Sequence, residues 1–154
     1  MKTKTYTMKK TIDTTKTAVF MKEDGSYLFK DCEGVTDLDL RWNYISKIEN
    51  IPKGVTVLDL WTNNISKIEN IPEGVTYLDL SDNNISKIEN IPEGVTELYL
   101  SYNNISKIEN IPEGVTVLDL SRNNISKISK KAKAILLKNN TKVYGVDIES
   151  LEEE

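Results

Sequence analysis

The chain contains no histidine. That removes imidazole acid–base chemistry, Ser–His and Cys–His nucleophile pairs, and most zinc sites. One cysteine, Cys32, excludes an internal disulfide and any multi-cysteine metal cluster. Long apolar runs are missing: the longest are four residues, at 18–21 and 134–137. A membrane span needs about 20 and a signal-peptide core about 7–15. The expectation is therefore a cytoplasmic protein with no membrane partner, although export by a specialised machine would leave no mark in composition. A basic excess is absent too. The net charge of −4 argues against a nucleic-acid binder. No phosphate-binding glycine loop is present either, so the sequence suggests neither an enzyme nor a cofactor or metal.

What the sequence has is repetition. Residues 31–130 divide into five 20-residue units, 31–50, 51–70, 71–90, 91–110 and 111–130. The third reads IPEGVTYLDLSDNNISKIEN, and the others differ at a few places. A fixed period of this length predicts a stacked solenoid with a continuous core. Within a unit, Val75, Leu78 and Leu80 flank polar or variable residues, the pattern of a short strand. Ile85, Ile88 and Ile91 are too few and too irregular for a long helix, and Pro72 and Gly74 mark a turn before the strand. A mainly β coil follows, with a strand on one side and extended or 3₁₀ backbone on the other. Asn43, Asn63, Asn83, Asn103 and Asn123 recur at the bend after the strand, where a buried amide can bond to backbone groups left unpaired.

The spacing L-x-L-x-x-N-x-I, as in Leu78, Leu80, Asn83 and Ile85, resembles the leucine-rich-repeat family. The unit length and the Ile-Pro before the strand are most similar to short bacterial-type repeats of effector proteins from enteric pathogens. One Pro per unit and Ile in place of the usual Leu depart from that subtype. The segment from Ile71-Pro72 to Val75-Thr76 is also similar to the FNIP-type repeats of amoebae and giant viruses. The resemblance covers 100 of 154 residues. It implies a right-handed solenoid whose parallel sheet lines a concave face, the usual partner surface of the family.

Terminal coils need caps. Residues 17–30 suggest a hairpin cap, with strands at 18–22 and 26–30 joined through Asp24-Gly25, able to pair with the first repeat strand. Residues 131–147 suggest a degenerate capping coil, with a strand at 134–137, and residues 148–154 an acidic, solvated tail. Residues 1–16 hold five lysines against one aspartate and are expected to form a flexible basic arm. Cys32 stands where the repeat has Pro and is expected to serve packing.

The five units differ mainly at four places around the strand. The first carries Asp37, Val57, Tyr77, Glu97 and Val117, and the second Asp39, Asp59, Asp79, Tyr99 and Asp119. The third carries Arg41, Trp61, Ser81, Ser101 and Ser121, and the fourth Trp42, Thr62, Asp82, Tyr102 and Arg122. With the leucines facing in, alternation turns the first two places outward, and the others follow into the bend. Both tryptophans and both arginines of the chain lie at these places. Trp, Tyr and Arg are the residues most enriched at binding hot spots. Drift at unconstrained positions explains the variability but not exposed Trp42 and Trp61.

These positions suggest a protein–protein interaction module. Trp42, Trp61, Tyr77, Tyr99 and Tyr102 are the expected anchors. Seven carboxylates face two arginines, so the expected partner is a protein or peptide with a Lys/Arg-rich surface; solubility alone is the competing account of the aspartates. Calcium fits less well, because 79–82 lacks the Gly and distal Glu of an EF-hand loop and Tyr99 interrupts the row. Five short strands project roughly 400 Å², against about 800 Å² per partner in a standard interface, so tight binding would also need bends or caps. The alternative is a self-associating structural repeat, a homo-oligomer with no separate ligand. The Lys/Glu run 47–49 and its repeats are expected to form a solvated convex face.

Overall fold

The computed structural model describes the backbone of residues 18–21 and 27–30 and all of residues 34–154. The basic arm, the Asp24-Gly25 turn and Cys32 lie outside the described residues. Strands β1 (Ala18–Met21) and β2 (Tyr27–Lys30) pair antiparallel as a two-stranded sheet of their own. Among the described residues this sheet is separate from that of the repeats.

Each repeat forms one flat coil. Three-residue strands β3 (Asp37–Asp39), β4 (Val57–Asp59), β5 (Tyr77–Asp79) and β6 (Glu97–Tyr99) lie in parallel register, Leu38 beside Leu58, Leu78 and Leu98. On the return side, β7 (Lys107–Ile108) follows, then β8 (Val117–Asp119) in the main sheet and β9 (Lys127–Ile128) on the return side. Among the described residues no helix lies within the repeats before Lys130, as expected of a 20-residue unit. Within one coil Val75, Leu78, Leu80, Ile85 and Ile88 are fully buried, and the equivalent residues above and below form one continuous core. Burial of each contributes about 1.5–3 kcal/mol, available only because neighbouring coils cover both faces.

Three devices turn the chain. Before each strand, the carbonyl of Pro52, Pro72, Pro92 or Pro112 accepts from the Val three residues on, at 3.1–3.3 Å, closing a β-turn. After it, the recurrent asparagine forms a ladder. Asn83 Nδ2 donates to the carbonyls of Leu60, Leu80 and Ser81, each at 3.1 Å, while its Oδ1 accepts from Ile65 N–H at 2.9 Å. Asn63, Asn103 and Asn123 repeat the arrangement. A second ladder stands at the far corner: Asn70, Asn90 and Asn110 adopt φ of 51–55° and donate to Ile48, Ile68 and Ile88 carbonyls. The convex run thus ends in a structural asparagine, not only in a solvated face.

The C-terminal part departs from the degenerate strand expected at 134–137. Residues Lys130–Lys138 form a helix, α1, with Ser129 as N-cap accepting from Ala132 N–H at 3.2 Å. The buried residues are Ala132, Ile135 and Leu136, an i, i+3, i+4 stripe, while Ala134 and Leu137 are exposed. The run 134–137 is therefore one apolar stripe crossed obliquely rather than a buried strand. After α1, β10 (Lys142–Tyr144) pairs parallel with β8 and makes the main sheet six-stranded, in the order β10-β8-β6-β5-β4-β3.

The glutamates of the acidic tail are exposed, as expected, but its backbone is tied to the solenoid. Val146, Ile148 and Leu151 pack against the end of the core, and β11 (Glu152–Glu153) pairs parallel with β9. Glu154 bridges Lys107 at 2.6 Å and Lys127 at 3.0 Å. These apolar residues, spaced among the charges, cover a face that the last repeat would otherwise expose.

Candidate functional site

Strand alternation sends the leucines inward and gathers the outward residues into rows that cross the coils. One row runs Asp37, Val57, Tyr77, Glu97, Val117 and Lys142. The next runs Asp39, Asp59, Asp79, Tyr99, Asp119 and Tyr144. Apart from exposed Asp37, Lys142 and Tyr144, these side chains are half-buried. Arg41, Trp61, Ser81, Ser101 and Ser121 continue each strand into the bend. There Trp42, Thr62, Asp82, Tyr102 and Arg122 follow, all in left-handed backbone at φ of 53–61°. Their conformation is held by a backbone ladder: the N–H groups of Trp42, Thr62, Asp82 and Tyr102 donate to Trp61, Ser81, Ser101 and Ser121 carbonyls at 2.8–3.2 Å.

The aromatic residues meet across neighbouring coils. Trp42 and Trp61 pack edge-to-face, with centroids 5.0 Å apart, and Trp42 remains 61% exposed. Tyr77 and Tyr99 stack at a tilt, 5.2 Å apart, in the middle of the sheet. Tyr102 is 58% exposed, with the Arg122 guanidinium 6.0 Å from its ring centroid. All five expected anchors therefore lie along one wall.

Charge is organised as well as dense. Arg41 clamps Asp39 through Nε at 2.9 Å and Nη2 at 2.6 Å, and its Nε reaches Asp59 at 3.2 Å. The Asp39 hydrogen bonds hold the guanidinium firmly protonated. Burial pushes the Asp59 carboxyl up; the Trp61 N–H bond opposes this and neighbouring Asp79 adds to it. Burial, and then the hydrogen bond that Tyr99 Oη donates to Glu97 Oε2 at 3.0 Å, push the Tyr99 phenol up to about 12. Burial, with Asp79 nearby, raises Tyr77 in the same direction.

The aspartate row also has a backbone task that residue patterning did not reveal. Asp39, Asp59, Asp79 and Asp119 each accept the N–H two residues on, at 2.8–3.1 Å, forming an Asx-turn that ends the strand. The clue was an Asp two residues before four of the five bends. Lys142 and Tyr144 were missed because their strand follows a helix and breaks the 20-residue period. Among the described residues, no group of three or more potential metal ligands is gathered. No helix among them is long and apolar enough to cross a membrane.

These features define the class of fold, that of a leucine-rich-repeat solenoid. The Leucine Rich Repeat family model matches residues 74–95, which run from the Gly before β5 to the Val before β6. Among solved structures, YopM from Yersinia enterocolitica WA-314 is similar over 78% of this chain, with a TM-score of 0.53 and 19% identity. That similarity shows the fold. The chain spans about a third of YopM, the alignment covering 32% of it. No curated protein matches the sequence.

Proposed function

We propose that this chain is a protein-recognition module whose concave wall holds a segment of a partner protein carrying Lys or Arg side chains. The observation that carries the reading is the combination of paired, half-exposed rings with an acidic field on one wall. On that wall seven carboxylates face Arg41, Arg122 and Lys142, leaving four net negative charges. Arg41 occupies the Asp39–Asp59 end of the aspartate row, while among the described residues no cation pairs with Asp79. A partner guanidinium or ammonium at Asp79 would meet the faces of Tyr77 and Tyr99 as well as the carboxylate, the setting in which cation–π attraction adds to charge. The repeat fold, which presents a surface and builds no enclosed reaction centre on the wall described, suits binding rather than catalysis.

The test is selection of binders from a random dodecapeptide display library. The wild type is expected to enrich Lys/Arg-containing peptides whose affinity falls at least tenfold in the Trp42→Ala, Trp61→Ala double variant and weakens with salt. The exposed convex substitution Lys87→Ala should leave affinity unchanged. Peptides that bind the double variant as well as the wild type would remove the anchors. Light scattering that finds a dimer, abolished by the double variant, would replace this reading with self-association.

A further inference from the structure

The repeat uses left-handed backbone at two corners, and it fills them differently. At the far corner the residue is Asn in the first four coils, Asn50, Asn70, Asn90 and Asn110, at φ of 51–57°. Asn is the non-glycine residue that best tolerates this region. At the concave corner the same conformation, φ of 53–61°, is imposed on Trp42, Thr62, Asp82, Tyr102 and Arg122. Only Asp82 belongs to a type that favours it, and a β-branched Thr there is an outlier. The same backbone ladder lies beneath whichever side chain it carries, and Asn would keep those N–H bonds. What the side chains add is lateral contact along the row: Trp42 with Trp61, Thr62 Oγ1 donating to Asp82 Oδ2 at 2.8 Å, and Arg122 with Tyr102.

We infer that this left-handed row is the reading edge of the module, where backbone strain is retained so that large, varied side chains face the partner. The inference rests on the proposed binding function and adds to it where selectivity resides. Five positions one coil apart span about 19 Å, the reach of about six extended residues. The occupant that fits is therefore an extended partner segment crossing the strands. It would place an apolar side chain against the Trp42–Trp61 pair and a basic one at Asp82. Strained, exposed residues of this kind are where proteins trade stability for recognition.

The experiment compares the wild type, Thr62→Asn alone, and the combined Trp42→Asn, Thr62→Asn, Tyr102→Asn, Arg122→Asn variant. Thr62→Asn disturbs no ring contact, replaces the hydroxyl that donates to Asp82 Oδ2 at 2.8 Å with an amide that can also donate, and is expected to raise Tm by about 2–4 °C. The combined variant is expected to keep the wild-type circular dichroism while losing at least tenfold in affinity for dodecapeptides selected on the wild type. A lower or unchanged Tm for Thr62→Asn would overturn the premise of strain. Full retention of the selected peptides by the combined variant would overturn the reading edge while leaving the binding function standing. A wild type that selects no peptide at all overturns the binding function itself, and the inference with it.

Discussion

Asn83 makes four hydrogen bonds that tie three segments together: its own bend, the bend of the coil before it, and the N–H of Ile65. It is buried, so no water replaces these partners if the amide is lost. Each stranded backbone group costs about 1–3 kcal/mol, and Asn83→Ala is expected to destabilise by about 3 kcal/mol or more, read by urea denaturation. Asp59 presents the opposite case. Burial and the neighbouring aspartates lift its carboxyl above the ordinary range despite Arg41 and the Trp61 N–H. A raised native pKa means that its stabilising contribution is complete below the unfolded carboxylate value and is lost as pH rises through the native one. At neutral pH the charge therefore works against the fold. Asp59→Asn keeps the Oδ1 acceptor for Trp61 N–H and is expected to raise Tm at pH 7. The gain should vanish below about pH 4, where Asp59 is already neutral. A Tm gain independent of pH would show that charge is not the cause. Asp59 thus joins the left-handed row as a place where the wall holds a side chain that the fold alone would not select.

The elements outside the repeat obey local chemistry that periodicity does not capture. Gly145 lies just past β10 at φ 88°, where a Cβ would overlap the backbone of Leu120 and Ser121. Gly145→Ala is expected to cost at least about 2 kcal/mol and to detach β10. Loss of amide protection at Lys142, whose N–H donates to Thr116, would report that detachment. The last turn of chain depends on charge. Its hydrogen bonds to Lys107, and then to Lys127, hold the Glu154 carboxyl below its usual value. A depressed native pKa stabilises above the unfolded value and is lost as pH falls through the native one. Glu154→Gln at constant pH, like acidification through that range, is expected to lower the hydrogen-exchange protection factors of the N–H groups of residues 152 and 154, corrected for the intrinsic exchange rate, while barely moving Tm. The repeats were legible in sequence because Leu78, Asn83 and Ile88 each recur at an interval of 20 with one geometric role. The cap was misread at 134–137 because a four-residue apolar run carries no period of its own. Ser129 as N-cap, with Ala132, Ile135 and Leu136, carried the helical signal instead. Of the wall, the outward rows and the aromatic rings they carry were legible from alternation. The Asx-turns and the left-handed φ values were not, because both are properties of the backbone that very different side chains can share.

For the molecule as a whole, parallel register makes the coils interchangeable inside and distinct outside. Leu58 sits beside Leu78, and Leu78 beside Leu98, with the asparagine ladder making the same bonds at each step. In such a stack, stability is a sum of coil and nearest-neighbour terms, so one coil can be removed if the interfaces that close up match. Deleting residues 71–90 would place Leu58 directly against Leu98, Ile65 against Ile105, and Asn103 Nδ2 within reach of the Leu60 carbonyl. The shortened chain is expected to fold with unchanged circular dichroism, to melt in one cooperative transition, and to have a modestly lower Tm. Deleting residues 76–85 instead removes half a winding, puts return-side backbone against strand, and is expected to leave the chain unfolded. The outside changes even where the inside closes: the deletion of 71–90 removes Tyr77, Asp79 and Asp82, breaks the central tyrosine pair, and sets Asp59 beside Tyr99. Peptides selected on the intact wall are therefore expected to lose affinity for a protein that is still well folded. Denaturation and binding measured together on this one deletion separate the core, which needs only its period, from the wall, which needs its particular residues in order.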